Sequence, residues 1–380
     1  GSPFEQFQKH GMETAKLNKI VRQRDPRLRQ VVKKLSVSQV REAIESLHRQ
    51  GRIVEVAADE RRLLAIADAY CNSPQNSLVI SPANKERGLL NALIHRQLQH
   101  DGKVSRADHQ MTVYVNRQDM TGTERTFANA YVADEDIVRY NRMSNVHGFK
   151  VGDYARVTAT NHERNEITVE TKDGHAVTYN PTRLSGVNVY QERERNFSEG
   201  DRIQFRAPFA EHRVANGELG TIRQIKDEEF IVALDSGREI GFETEKFRHI
   251  DHGYAVTSYS SQGQTVDRVL VNADANESDL LLNQRMGYVA VSRAREEALI
   301  FTNSTDQLKA ALDRNVDKEM AIEALRQSRE RNLPSQEESE RFLTPTNETH
   351  LEQAFERDNS RVESIENGQA REEMDLDLGS

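Results

Sequence analysis

Apolar residues keep a helical period through much of the first hundred positions, alternate with polar ones through the middle, and return to longer buried-type runs after position 250. Across residues 36–50 they fall at Val37, Val40, Ile44 and Leu47, the spacing of one helix face, with Gly51 placed to end it. Residues 52–57 alternate and are β-branched, which predicts a strand. Residues 59–70 are again helical, residues 77–80 form a buried-type strand, and residues 84–98 predict a helix built on Leu89, Leu90, Leu93 and Ile94. This β-α-β-α alternation predicts a parallel sheet covered by helices.

Between about residues 110 and 245 the pattern changes to short alternating strands broken by turn pairs, such as Asp173-Gly174 and Ser236-Gly237. Two stretches there begin alike, FKVGD at 149–153 and FSEGD at 197–201, and suggest two similar small barrels. From Tyr254 the α/β pattern resumes, with strands at 269–272 and 298–302 and helical segments at 284–294 and 304–312. The expected organisation is one α/β domain, residues 1–109 and 251–315, interrupted by a β-rich insert at 110–250 and followed by a tail at 316–380.

Composition refines this picture. From Asp317 onward the chain has 17 acidic and 8 basic residues, so the net charge of -9 sits in the tail and the remainder carries 44 of each sign. An acidic segment poor in β-branched and aromatic residues reads as disordered. The electrically balanced body is compatible with a basic stripe and hence with nucleic acid. Cys71 has no cysteine partner, which excludes an internal disulfide or a cysteine metal site, and no stretch has the length of a membrane span. A reducing cytoplasm is the expected compartment.

The candidate chemistry lies in two stretches, GYAVTSYSSQGQTVDRVLV at 253–271 and YVAVSRARE at 288–296. In the first, Gln262 and Gly263 stand where glycine allows backbone to approach a phosphate. Thr257, Ser260 and Ser261 offer hydroxyls to phosphates, and Tyr259 offers a ring to a base. In the second, Arg293 is a permanently charged fork of donors suited to phosphate oxygens, with Arg295 a neighbour in an ion pair. By themselves these residues also fit a structural turn and a polar helix end.

Together, in this order and spacing, the two stretches resemble motifs V and VI of superfamily 1 helicases, and SSQGQTVDRV is similar to the RecD-like motors of conjugative relaxases of the TraI/TrwC type. LNKIVRQ at 17–23 is similar to motif IV, NKERGLLN at 84–91 to a strand-to-helix segment of the second lobe, and FRAPFAEHRVANGELG at 205–220 to the start of a small barrel. PFEQFQKHGM at 3–12 resembles the segment after motif III. Where relatives place His, this chain has Tyr259.

The resemblance implies a RecA-like lobe with an insert of one or two small Src-homology-type barrels. It implies Arg293 and Arg22 as arginines that reach the γ-phosphate, with Gln23, Gln262 and Gly263 beside the nucleotide. DNA contacts would come from Thr257, Tyr259, Ser260, Ser261, Asn84 and Asn216. The Arg22 to Lys34 cluster read alone is a solvated basic face, and Asn216-Gly217 read alone is a hairpin turn.

The chain contains no G-x-x-x-x-G-K-[ST] loop, and none of its twelve histidines has the paired spacing of a metal site. ATP with Mg²⁺ is therefore expected to be held mainly by another lobe. The expected partners are single-stranded DNA, that lobe, a relaxase domain and a type IV coupling protein, with export to a recipient cell as a further expectation. Two functions stay open: the C-terminal half of a working 5′-to-3′ helicase in plasmid transfer, or a vestigial copy that binds single strands or serves secretion.

Overall fold

The computed structural model describes residues 20–117, 120–144, 146–184, 186–277 and 281–314. The 3–12 stretch, the start of the 17–23 stretch and the acidic tail lie outside the described residues.

Helix α1 (Pro26–Ser36) begins where Asp25 accepts the Arg27 N–H at 2.8 Å and proline takes the first helical position. Leu28, Val31, Val32 and Leu35 form its buried face. Sequence spacing did not predict this helix, because its basic residues read as a solvated patch. Ser38, with φ 63, then breaks the chain, and α2 (Val40–Arg49) buries Val40, Ala43, Ile44 and Leu47. The helix expected over 36–50 is thus the end of one helix and the whole of the next, and Val37 in the break is exposed.

The α/β domain continues with β1 (Ile53–Glu55), α3 (Asp59–Asn72), β2 (Ser77–Ile80) and α4 (Asn84–His100). After the insert it resumes with β14 (Ala255–Val256), β15 (Val266–Ala273), α5 (Gln284–Val291), β16 (Ala294–Thr302) and α6 (Thr305–Leu312). All neighbouring strands pair in parallel, in the order β1-β16-β15-β2-β14. Alternation along the strands sorts the two faces. Leu78, Ile80, Val269 and Val271 share a core with α1, α2, α5 and α6, while Val79 and Leu270 face the other way, where α3 and α4 pack.

The insert, between α4 and β14, is two antiparallel sheets. One contains β3 (His109–Asn116), β4 (Asp136–Tyr140), β5 (Tyr154–Asn161), β6 (Glu166–Thr171), β7 (Ala176–Tyr179) and β8 (Val187–Phe197) in the order β3-β8-β4-β5-β6-β7. The other contains β9 (Arg202–Phe205), β10 (Leu219–Lys226), β11 (Glu229–Leu234), β12 (Glu239–Glu243) and β13 (Ile250–His252) in the order β12-β11-β10-β9-β13. Among the described residues both orders are linear, and in the second the last strand, β13, lies beside the first, β9.

The FKVGD and FSEGD stretches fold alike. Phe149 and Phe197 are buried, Gly152 and Gly200 have φ 94 and 99, and each final Asp accepts the N–H three residues back at 2.7 Å. The turn pairs also fold as expected, with Gly174, Gly217 and Gly237 all at positive φ. Among the described residues no helix is long and apolar enough to cross a membrane.

Candidate functional site

Residues 20–25 lie along the end of the sheet where β16 begins. Gln23 is 1% exposed, and its Nε2 donates to the Ser292 and Ala294 carbonyls at 3.0 and 2.9 Å. Arg24 N donates to Arg295 O at 2.7 Å, and Arg29 holds the Gln23 carbonyl with Nε and Nη2 at 3.1 and 2.6 Å. Two buried amide bonds of this kind stabilise by about 1 kcal/mol each. Gln23, expected beside a nucleotide, spends its amide nitrogen on this stitching.

The stitching brings Arg22 against the turn that carries Arg293. Arg22 Nη1 donates to Ser292 O at 2.7 Å. Arg293 donates from Nε to Val289 O at 3.1 Å and from Nη1 to Gln264 O at 3.5 Å. Val289 and Ser292 stand at the C-terminal end of α5, whose free carbonyls favour cations.

Arg295 pairs with Asp267 at 3.2 Å and Arg24 with Glu296 at 3.4 Å, whereas among the described residues neither Arg22 nor Arg293 has a carboxylate within 4.0 Å. Arg293 is half-buried. Burial, then the charge of Arg22, lower its pKa from the ordinary arginine value. Two like charges held together without a counter-ion make a place that an anion stabilises, and forked guanidinium donors suit phosphate oxygens.

The loop of residues 257–265 leaves the C-terminal end of β14 and ends at the N-terminal end of β15, so it crosses from one edge of the sheet to the other. It is wound by its own bonds: Thr257 Oγ1 donates to Ser260 Oγ at 3.0 Å, and Ser261 Oγ to Ser258 O at 2.7 Å. Ser261 is fully buried, so the hydroxyl offered by the sequence to a phosphate is spent inside the loop. Tyr259 is 79% exposed, Gln262 and Gly263 are exposed, and Gly263 has φ 88, a conformation that side-chain-bearing residues seldom adopt.

Ser81 N donates to Val256 O at 3.0 Å, which sets the exits of β2 and β14 side by side. Asn84, exposed at the start of α4, therefore shares the C-terminal edge of the sheet with Thr257. This edge is where ligands bind in open α/β sheets.

The insert adds a third wall. Residues 215–218 form a turn closed by Glu218 N to Ala215 O at 3.2 Å, with Asn216 exposed and Gly217 at φ 90. A Cβ on Gly217 would stand 3.8 Å from Ser260 O, so the turn rests on the loop. Two residues here escaped the sequence reading. Arg206 donates from Nη1 to Gln204 Oε1 at 2.7 Å and to Ser260 Oγ at 3.4 Å. Its pKa is pushed down to about 10 by burial and by Arg87, against the opposing Asp251. Gln264 donates from Nε2 to Gly217 O and Ser260 O at 3.4 and 3.3 Å. Neither contact between the loop and the insert follows from local spacing, because Arg206 and Ser260, and Gln264 and Gly217, lie far apart in the chain.

Behind this wall the insert is tied to α4. Arg87 pairs with Asp251 at 3.0 Å, and Asp201 accepts from Ser198 N at 2.7 Å, from His95 Nδ1 at 2.8 Å and from the Tyr254 hydroxyl. Burial opposes the charge of Asp201, but His252 and His95 outweigh it and hold its carboxyl well below the usual range. His95, Asp201 and His252 form the group among the described residues whose ligand-type atoms lie within 4.8 Å of one another. The absence of paired spacing in the sequence gave no sign of it. The donors already on Asp201 fit a structural junction.

A UvrD-like helicase C-terminal domain matches residues 252–301, and an AAA domain matches residues 1–58. Conjugal transfer protein TraA of Rhizobium radiobacter is 33% identical over 111 residues, 28% of this chain and 10% of that protein. Multifunctional conjugation protein TraI of Escherichia coli is 22% identical over 260 residues, 66% of this chain and 14% of that protein. The chain thus spans only a small part of the relatives' length. The crystal structure of Pif1 helicase from Candida albicans aligns with a TM-score of 0.39 at 12% identity, covering 82% of this chain and 59% of that one. The chain is related to the conjugal transfer proteins TraA and TraI and is similar to the C-terminal part of a TraI-type helicase region.

Proposed function

We propose that this chain is the second motor half of an ATP-dependent DNA helicase that moves 5′ to 3′ on single-stranded DNA in conjugative transfer. Arg293 and Arg22 reach from it toward the γ-phosphate of ATP held by another lobe. The observation that carries this reading is the pair of guanidinia at the start of β16, close together and, among the described residues, without a carboxylate of their own. Such a pair stabilises the charge that develops on a transferring phosphoryl group. The chain has no phosphate-cradling G-x-x-x-x-G-K-[ST] loop, so the nucleotide, with Mg²⁺, depends on the partner lobe.

Single-stranded DNA runs along the opposite edge of the sheet, over Tyr259, Thr257, Ser260, Asn84 and Asn216, where the tyrosine stacks on a base and the polar groups meet phosphates. The loop of residues 257–265 joins the two edges. Purified chain is expected to bind an oligothymidylate weakly and to hydrolyse no ATP. Robust DNA-stimulated hydrolysis by the chain alone would overturn this assignment of roles.

A further inference from the structure

The expected nucleotide and DNA residues leave Gln264 without a role, yet it is the residue of the 257–265 loop that touches both walls. We propose that Gln264 is a positioning residue through which the insert's 215–218 turn sets the placement of Arg293, making the arginine responsive to how a strand is gripped. This rests on the functional reading above.

The Gln264 amide nitrogen donates to the insert at Gly217 O and to the loop at Ser260 O, at 3.4 and 3.3 Å. Its main-chain carbonyl accepts Arg293 Nη1 at 3.5 Å. Gly217 O also receives Gln204 Nε2 at 3.3 Å, and Gln204 in turn accepts Arg206, which reaches Ser260. A displacement of the turn is therefore passed to the loop by two routes, and to Arg293 by Gln264.

The main-chain N–H of Gln264 is held by Ser261 O at 3.1 Å, but its side-chain contacts and the Arg293 contact with its carbonyl stand near the outer limit of hydrogen bonding, where each is weak and readily exchanged. Meanwhile Gln264 Oε1 is buried without a partner among the described residues. An orphaned buried acceptor costs free energy and calls for an explanation. A second arrangement of the loop, in which a guanidinium that has shifted toward Oε1 fills it, accounts for both features. The loop is then an element with two arrangements, which is the physical requirement for coupling two sites.

The test is hydrogen exchange of the full 380-residue chain with and without an oligothymidylate, read in peptides covering 257–265 and 286–295. Wild type is expected to slow roughly fivefold in both segments on binding. In Gln264→Ala the first segment still slows and the second does not. Gln264→Glu, which keeps the size and loses the donors, behaves like Ala, and unchanged exchange of β15 shows that both variants are folded. Equal slowing of 286–295 in wild type and both variants overturns the coupling and leaves the DNA reading intact. Absence of any effect of the oligonucleotide on wild type overturns the DNA reading and the coupling together.

Discussion

Replacing Asp201 with Asn removes the charge at the centre of the junction between α4 and the insert. The carboxylate is fully buried and serves the Ser198 N–H, His95 Nδ1 and the Tyr254 hydroxyl, with the His252 ring at 3.4 Å. Asparagine keeps one acceptor oxygen and brings an NH₂ that meets another donor, so at least one of these groups is left unsatisfied. Breaking a buried charged pair in this way costs about 3–5 kcal/mol, a large share of the roughly 5–15 kcal/mol that holds a domain folded. Urea unfolding with an m-value of about 2–3 kcal/mol/M then shows a midpoint lower by about 1–2 M at neutral pH, with m unchanged.

The pH dependence has a definite sign. Because the folded-state pKa of Asp201 is depressed, its contribution is present above the unfolded value and is lost as pH falls through the folded one. The gap between wild type and Asp201→Asn therefore narrows below about pH 4. A midpoint change smaller than about 0.3 M at neutral pH, or a gap that does not narrow in acid, would refute the junction as described.

Glu86, its side chain 14% exposed beside Arg62 and Asn272, has its pKa pushed up to about 7, first by partial burial. A raised folded pKa gives stability that is present below the unfolded value and lost as pH rises through about 7, so Glu86→Gln flattens that decline in a series of thermal melts. Gly253→Ala places a Cβ 2.8 Å from the Ile203 backbone carbon and from Leu219 Cδ2, and chemical unfolding should report a loss of about 1–3 kcal/mol. Tyr259→Ala removes an exposed ring that packs on nothing essential; it leaves the melting temperature unchanged and weakens oligothymidylate binding by about 1–3 kcal/mol in a fluorescence titration. Unaltered affinity would remove Tyr259 from the DNA path.

What the sequence reveals is the part governed by local period and turn chemistry. Strand β2, the starts of α3 and α4, the glycine turns at 174, 217 and 237, and the paired F-x-x-G-D turns all follow from neighbours within a few residues. Helix α1 was hidden because Arg27, Arg29, Lys33 and Lys34 dominate its composition while four apolar residues on one face decide its burial. Of the candidate site, motif resemblance singled out Arg22 and Arg293, which the structure brings to one place, and the 257–265 loop. It could not show that Gln23 turns inward, that Arg206 meets the loop or that Gln264 meets the insert, because those facts depend on partners tens to hundreds of positions away; the inward turn of Ser261 is a local bond to Ser258, which a motif of hydroxyls does not distinguish from an outward one. The same distance hid the meeting of His95, Asp201 and His252.

The most direct measurement is single-turnover and steady-state ATP hydrolysis by the complete polypeptide that carries this chain, as wild type and as Arg293→Ala, with single-stranded DNA affinity measured alongside. The predicted result is a fall in kcat of about 10³-fold or more with DNA affinity retained. Turnover equal to wild type in the variant would contradict the role given to Arg293 and would fit a non-catalytic helicase copy instead.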